Sequence, residues 1–547
     1  MKLRNILLAL CATGMVASCG GGSSSSQDSP TSTLANTQQT STTANSNTQT
    51  DSANNSQTGN IDDSGSISED ATLVAPKEVV SEHLKYCIER TAKESGWKTL
   101  EDIEVLNCDF DNKSTIVNNI SGLDKLPNLK ELQITGGYWD YDTEQLTDLS
   151  PLSNLKNLEV LHIDFGNDIQ SIEPLRGMES LKSLHIWPML FEDLDPISTL
   201  TNLETLSIQG APSSGAEGGK IYQRKVTDFS ALESLHKLQH LNLSRLDFAF
   251  VDYIGKLSFL ENMPSLKSLY LTGTPISDFN GIQHLTELEK LSLTSRFIND
   301  DPLIKAELEA SYQHLYSLSK LKSFRWDRVQ ESPLDVLKTF KQLEYLNLQI
   351  LTISENDNRA ETIGSLSTLK ELRLVLVNNF PLSKLQQLEN LERLNFSSGS
   401  FDPTHFNFPV ALSNLNHIVL QRVSSSTDTP LTYGAFAPLP NLQLISIENS
   451  DLENIALINQ AANLNWVSLS INDSEDLSFF STMDKVEKLA LTSNGALNID
   501  PLLQMKSLTN LFLYQHDMSD LSQCDSIAKF KELRPNVQLS INYLCSS

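Results

Sequence analysis

The residues of most specific chemistry in this 547-residue chain are its six cysteines, ten histidines and five tryptophans. Beyond the apolar leader that holds Cys11, Cys19 stands alone. Cys87 and Cys108 form one pair and Cys524 and Cys545 another, each enclosing 20 residues. Such thiols either oxidise or ligate a metal. A C-x₂₀-C spacing with no C-x-x-C and no nearby His does not match zinc-ligand patterns. The expectation is therefore a disulfide in each pair, worth about 3 kcal/mol if formed. Other motifs are weak. Gly215-Ala-Glu-Gly-Gly-Lys220 is one residue short of a phosphate loop and has Ile221 where Ser or Thr belongs. Asp109-Phe-Asp111-Asn112-Lys113 starts like a calcium loop but places Lys at a ligand position. Neither H-E-x-x-H nor G-x-S-x-G occurs.

The elements that must position these residues come from a repeat. Leu-x-x-Leu-x-Leu recurs in sixteen units, beginning at Leu129, Leu158, Leu181 and Leu203 and ending with Leu464, Val486 and Leu508. Seven of the fifteen spacings are 22 residues and the rest run from 23 to 35. Asn precedes the first Leu in seven units (Asn128, Asn157, Asn202, Asn390, Asn414, Asn441 and Asn463). Pro lies seven residues ahead of it in four (Pro151, Pro174, Pro196 and Pro501). The alternation predicts a short strand with one buried face. The Pro-punctuated link, with apolar residues three apart, predicts a 3₁₀ turn. One such unit cannot bury its leucines, so the units must stack.

Leu146-Thr-Asp-Leu149-Ser-Pro151-Leu152-Ser-Asn-Leu155-Lys-Asn-Leu158-Glu-Val-Leu161-His-Ile163 resembles the 22-residue leucine-rich repeats of bacterial internalin-type proteins. The resemblance spans roughly residues 115–520. It implies an α/β repeat solenoid, a leucine-rich-repeat horseshoe with short parallel concave strands and 3₁₀ or irregular convex turns. It also implies a role in adhesion or interaction. One departure stands out. The family's Asn three residues after the last strand Leu is kept only at Asn472 and Asn494, so its ladder is expected to be incomplete. Residues 77–114 and 521–547 are expected to cap the solenoid, with helical spacing over 78–95.

The remaining chemistry lies on the solvated strand positions, a surface on the order of 75 Å long. Candidate ligand contacts there are His162, His185, Trp187, His240, Tyr270, Arg325, Tyr345, Arg373, Arg393, His417, Trp466 and Tyr514. Asn242, Asp327, Asn347, Asn395 and Phe512 share the face. Tyr, Trp and Arg are the residue types enriched in binding surfaces. The three arginines are expected to stand against an otherwise acidic protein and to meet a carboxylate or phosphate. His162 and His185 share a column in adjacent repeats, as a metal pair would. Only Asp164, one column over, accompanies them, and no metal site or cofactor is expected.

The N-terminus is a processing segment. Lys2 and Arg4 precede the apolar run Ile6–Ala12, which is too short to span a bilayer. Val16-Ala17-Ser18-Cys19 resembles the lipobox of bacterial lipoproteins. That resemblance implies removal of residues 1–18, acylation of Cys19 and, with Gly20 following, the outer membrane. Residues 19–76 are Ser-, Thr-, Asn- and Gln-rich and are expected to form a disordered tether. The formal charge of −27 excludes nucleic acid as a partner. With repeats and caps assigned, no segment remains for a catalytic domain, and no enzyme is expected. The sequence reading is a lipid-anchored envelope module that binds a protein or glycan; the alternatives are a scaffold or spacer without a soluble ligand and, last, an enzyme.

Overall fold

The computed structural model describes residues 73–547 apart from 110–116, 136–144, 165–167, 188, 211–225, 227, 247–253, 275, 295–301, 329–333, 353–357, 474, 518–520, 543–544 and 546–547. Cys19, the leader, nearly all of the tether and the Gly215–Lys220 loop lie outside the described residues. So does most of Asp109–Lys113.

Eighteen strands form one all-parallel sheet. Each pairs with its chain neighbours, from Val105–Asp109 beside Glu131–Thr135 to Asn510–Gln515 beside Gln538–Ile541. Sixteen of these strands fall on the sixteen Leu-x-x-Leu-x-Leu units. This is the leucine-rich-repeat solenoid. The first and last strands extend it at both ends. Ile103-x-x-Leu106-x-Cys108 is a degenerate unit, hidden because Ile and Cys replace two of its leucines.

The strand leucines align in register, Leu132 beside Leu161 and Leu161 beside Leu184, and all three are fully buried. Burying such a side chain stabilises by about 1.5–3 kcal/mol, and stacking repeats it along the array. The links are mainly 3₁₀ turns. Four of them, Ser150–Asn154, Glu173–Leu175, Asp195–Thr199 and Asp500–Gln504, carry the periodic Pro at their first or second position. There its fixed φ is pre-set and its missing N–H would have had no partner. Two of the longer spacings also hold an α-helix, Pro302–Ser311, which runs on into the 3₁₀ turn Tyr312–Ser317, and Arg359–Gly364.

The seven Asn residues form an inter-repeat ladder. Each Nδ2 donates to a carbonyl of the preceding repeat, as from Asn157 to Pro127 O (2.9 Å), Asn202 to Glu179 O (2.8 Å) and Asn463 to Pro440 O (2.6 Å). Asn128, Asn390, Asn414 and Asn441 repeat the bond. The array is thus laddered from a different repeat position than the one the internalin pattern suggests.

At the first strand lies the helix Glu82–Ser95, four residues shorter at its start than the spacing suggested. Ser81 caps it, its Oγ accepting from Leu84 N, and Gly96 ends it at φ 72°. Cys87 on this helix is bonded to Cys108 on the first strand. At the other end Cys524 opens the helix Cys524–Leu533 and is bonded to Cys545.

Candidate functional site

With the leucines turned inward, alternate residues of each strand face outward in three columns. They lie before, between and after the two inner apolar residues. Before them stand His240, Tyr345, Arg393, His417 and Trp466. Between them stand His162, His185, Tyr270, Arg325 and Arg373; after them, Trp187 and Tyr514. All twelve are exposed or half-buried, with Tyr270 at 36% and Tyr514 at 41% exposure.

The face is more internally bonded than residue types suggest. Trp187 Nε1 donates to Gly210 O at 3.0 Å. Asn347 Nδ2 donates to the Tyr345 hydroxyl at 3.3 Å. His240 Nδ1 lies 2.7 Å from Ser268 Oγ, and Lys488 Nζ sits 5.0 Å above the Trp466 ring. Burial pushes the His240 imidazole below its ordinary value, with Lys267 and Lys290 adding to the effect. Burial does the same to His417, helped by Arg393 in the neighbouring strand.

Two of the three arginines are already engaged by carboxylates of the same face. Arg325 forms a two-pronged pair with Asp327, Nε to Oδ1 and an Nη to Oδ2, both at 3.0 Å. Arg393 lies 3.6 Å from Glu371. Carboxylates two residues along the same strand, or opposite in the next, project on the same face. The acidity therefore shares the face with the arginines. Only Arg373 of the three makes no ion pair among the described residues. It lies in register between Asn347 and Asn395.

The first sector holds a tighter constellation. His162 and His185 are register partners on adjacent strands, their rings stacked with centroids 4.1 Å apart and 16° between planes. Asp164, two residues after His162, turns to the same side. Its Oδ1 lies 3.3 Å from His185 Nε2 and its Oδ2 3.6 Å from His162 Nε2. Burial would raise this carboxyl, but hydrogen bonds from both histidines outweigh it and hold it at about 2. The sequence placed Asp164 one column over from the two histidines, and the structure brings it within reach of both. One column over is still the same face, and a carboxylate reaches across it. The sequence signal was present as His-x-Asp followed by His in the next unit's matching position.

A separate polar groove of about 630 Å³ follows the ends of the later strands. Its lining includes Tyr433, Asn449, Asp451, Glu475 and His516, with Asn472 and Asn494 from the internalin ladder position. None of the twelve candidates lines it.

No family model and no curated protein matches the chain. Solved structures do. A leucine-rich-repeat protein of Leptospira interrogans matches at 17% identity over 82% of this chain and 98% of that one, with a TM-score of 0.38. An internalin of Listeria monocytogenes matches at 20% identity over 81% and 98%, with a TM-score of 0.34. The plant peptide hormone receptor RGFR1, in complex with RGF2, matches at 14% identity over 77% and 72%, with a TM-score of 0.35. These likenesses are of fold.

Proposed function

We propose that this chain is a binding module of a bacterial cell envelope that recognises a protein or a glycan through the outward columns of its repeat sheet. In this reading residues 1–18 are removed, and acyl chains on Cys19 hold the module to the outer membrane, since stable anchoring takes more than one chain. Among the described residues no helix is long and apolar enough to cross a membrane.

The observation that carries the reading is the outward face itself. Twelve large polar, cationic and aromatic side chains from eleven repeats stand on one side of one parallel sheet, and the core requires none of them to be large. Aromatic and Arg anchors of this kind supply most of the energy in protein interfaces.

Partner capture by the full chain tests it. Tyr270→Ala, Arg373→Ala and Tyr514→Ala are expected to weaken capture with the melting temperature unchanged. Trp187→Ala is a poorer probe, because it also loses the bond to Gly210 O and should cost about 1–2 kcal/mol of stability. Unchanged capture across the three probes would leave the scaffold reading in its place. The anchor is tested separately: Cys19→Ser should release the chain from the membrane fraction, and undiminished retention would remove lipidation from the proposal.

A further inference from the structure

We infer that His162, Asp164 and His185 form a site for a divalent first-row transition metal on the outer face of the sheet, with at least one coordination position open to an exogenous ligand. The three candidate donor atoms, one from each residue, all lie within 4.8 Å of one another. Around a tetrahedral zinc ion with ligands at about 2.0–2.2 Å, neighbouring donors stand roughly 3.4 Å apart. His185 Nε2 lies 3.3 Å from Asp164 Oδ1 and His162 Nε2 3.6 Å from Oδ2, so the two oxygens of one carboxylate each face one imidazole. To take an ion between them the stacked rings must tilt so that both Nε2 lone pairs aim at it, a side-chain rotation that leaves the strands in place.

The backbone does the positioning. Register pairing of Val160–Asp164 with Ser183–Trp187 sets the two imidazoles side by side, and ring stacking keeps them parallel. The two-residue strand period brings Asp164 onto their side. All three side chains are half-buried, His185 at 19%, Asp164 at 25% and His162 at 32% exposure. They are thus ordered by their neighbours yet reachable from solvent. An ion pair alone needs one imidazole for one carboxylate. Here two imidazole nitrogens from adjacent strands converge on a single carboxylate. A cation bound to both nitrogens and to Asp164 would engage all three donors at once.

The donor set selects the metal class. Imidazole nitrogens suit zinc, copper, nickel and iron, whereas calcium and magnesium prefer oxygen alone. Three protein ligands leave a position for water or for a carboxylate or imidazole of a bound molecule. Trp187, in register with Asp164, walls the neighbouring column.

The experiment is a zinc titration of the full chain by calorimetry, repeated with cobalt(II) to read its visible bands. One equivalent should bind. His162→Ala and His185→Ala should each weaken it at least 10-fold and abolish the low-coordination cobalt spectrum, with circular dichroism unchanged. Asp164→Asn, which keeps the side chain's shape, should also weaken binding and guards against loss through misfolding. His236→Ala, outside the outward columns with its Nδ1 3.0 Å from Asn262 O, should leave binding unaltered. Zinc uptake that survives both His→Ala changes, or no uptake by the folded wild-type chain at saturating zinc, overturns the site. This outcome is distinguishable from failure of partner capture, whose probes, Tyr270, Arg373 and Tyr514, contribute none of the three ligands.

Discussion

Asp327 is held on the outward face of its strand yet is only 7% exposed, and burial raises its carboxyl even with the Arg325 guanidinium bonded to both oxygens. Its inner neighbour Trp326 is fully buried, edge-on to Tyr312. The pair is the most enclosed ion pair described on the sheet. Removing Arg325 would leave this buried carboxylate with only the charges of Arg328 and Arg373 to compensate it. Arg325→Ala should therefore destabilise by about 2–3 kcal/mol at pH 7, discounted from the fully buried case because Arg325 is itself 29% exposed. The sign with pH follows from the raised value. A carboxyl that binds its proton more tightly when folded favours folding at low pH, and that advantage is lost as pH rises through its folded pKa. The variant's deficit in urea unfolding should then shrink toward acid pH, as Asp327 takes up a proton. A deficit that grows as pH falls would contradict it.

At the scale of the element, one backbone feature recurs. Two residues after the last inner strand position, seven repeats turn through positive φ: Arg245, Gly273, Arg328, Leu376, Ser398, Arg422 and Asn449, at 49–74°. Gly273, and after it Asn449, are the residue types that conformation favours; for the others it costs about 1–2 kcal/mol. The turn belongs to a subset of repeats, since the equivalent Ile471, Ser493 and Gln515 are not among the positive-φ residues. Leu376 is the extreme case, at φ 55° with 46% of a large apolar side chain exposed. Leu376→Gly should raise stability by about 0.5–1 kcal/mol, the strain relieved less the unfolded-chain entropy of glycine. Thermal or urea unfolding measures it, and a loss of stability would show that the Leu376 side chain does packing work at its exposed position. Asp residues act at the other end of the link. Asp148, Asp228, Asp402 and Asp476 accept from the backbone N–H two residues on, at 2.8–2.9 Å, shaping entry to the 3₁₀ turns. Part of the acidity is therefore structural punctuation.

For the whole molecule, stability is close to a sum of repeats and neighbour interfaces, so the ends are where a solenoid frays. The Cys87–Cys108 bond ties the first helix to the first strand across 21 residues. Replacing both cysteines by Ser should cost about 3 kcal/mol. The loss should be local: amide exchange should quicken over Glu82–Ser95 and Val105–Asp109 while Trp466–Ser470 is unchanged. Uniform acceleration along the array would contradict the nearest-neighbour picture. The sequence by itself determined the period, the inward leucines, the Pro-led turns and the outward assignment of the candidate residues, because strand alternation and repeat phase are local properties written in residue spacing. It missed the first strand, where Ile103 and Cys108 interrupt the leucine pattern. It recorded the seven Asn residues only as register marks, since their acceptors lie a whole repeat away. Tertiary structure alone decided which outward side chains are already engaged: Arg325 with Asp327, Arg393 with Glu371, Trp187 with Gly210, and His162 and His185 with Asp164. Parallel pairing sets the exact lateral register between strands 22 to 35 residues apart in sequence, and a shift of a few ångströms separates a cluster that can grip an ion from a row of unrelated side chains.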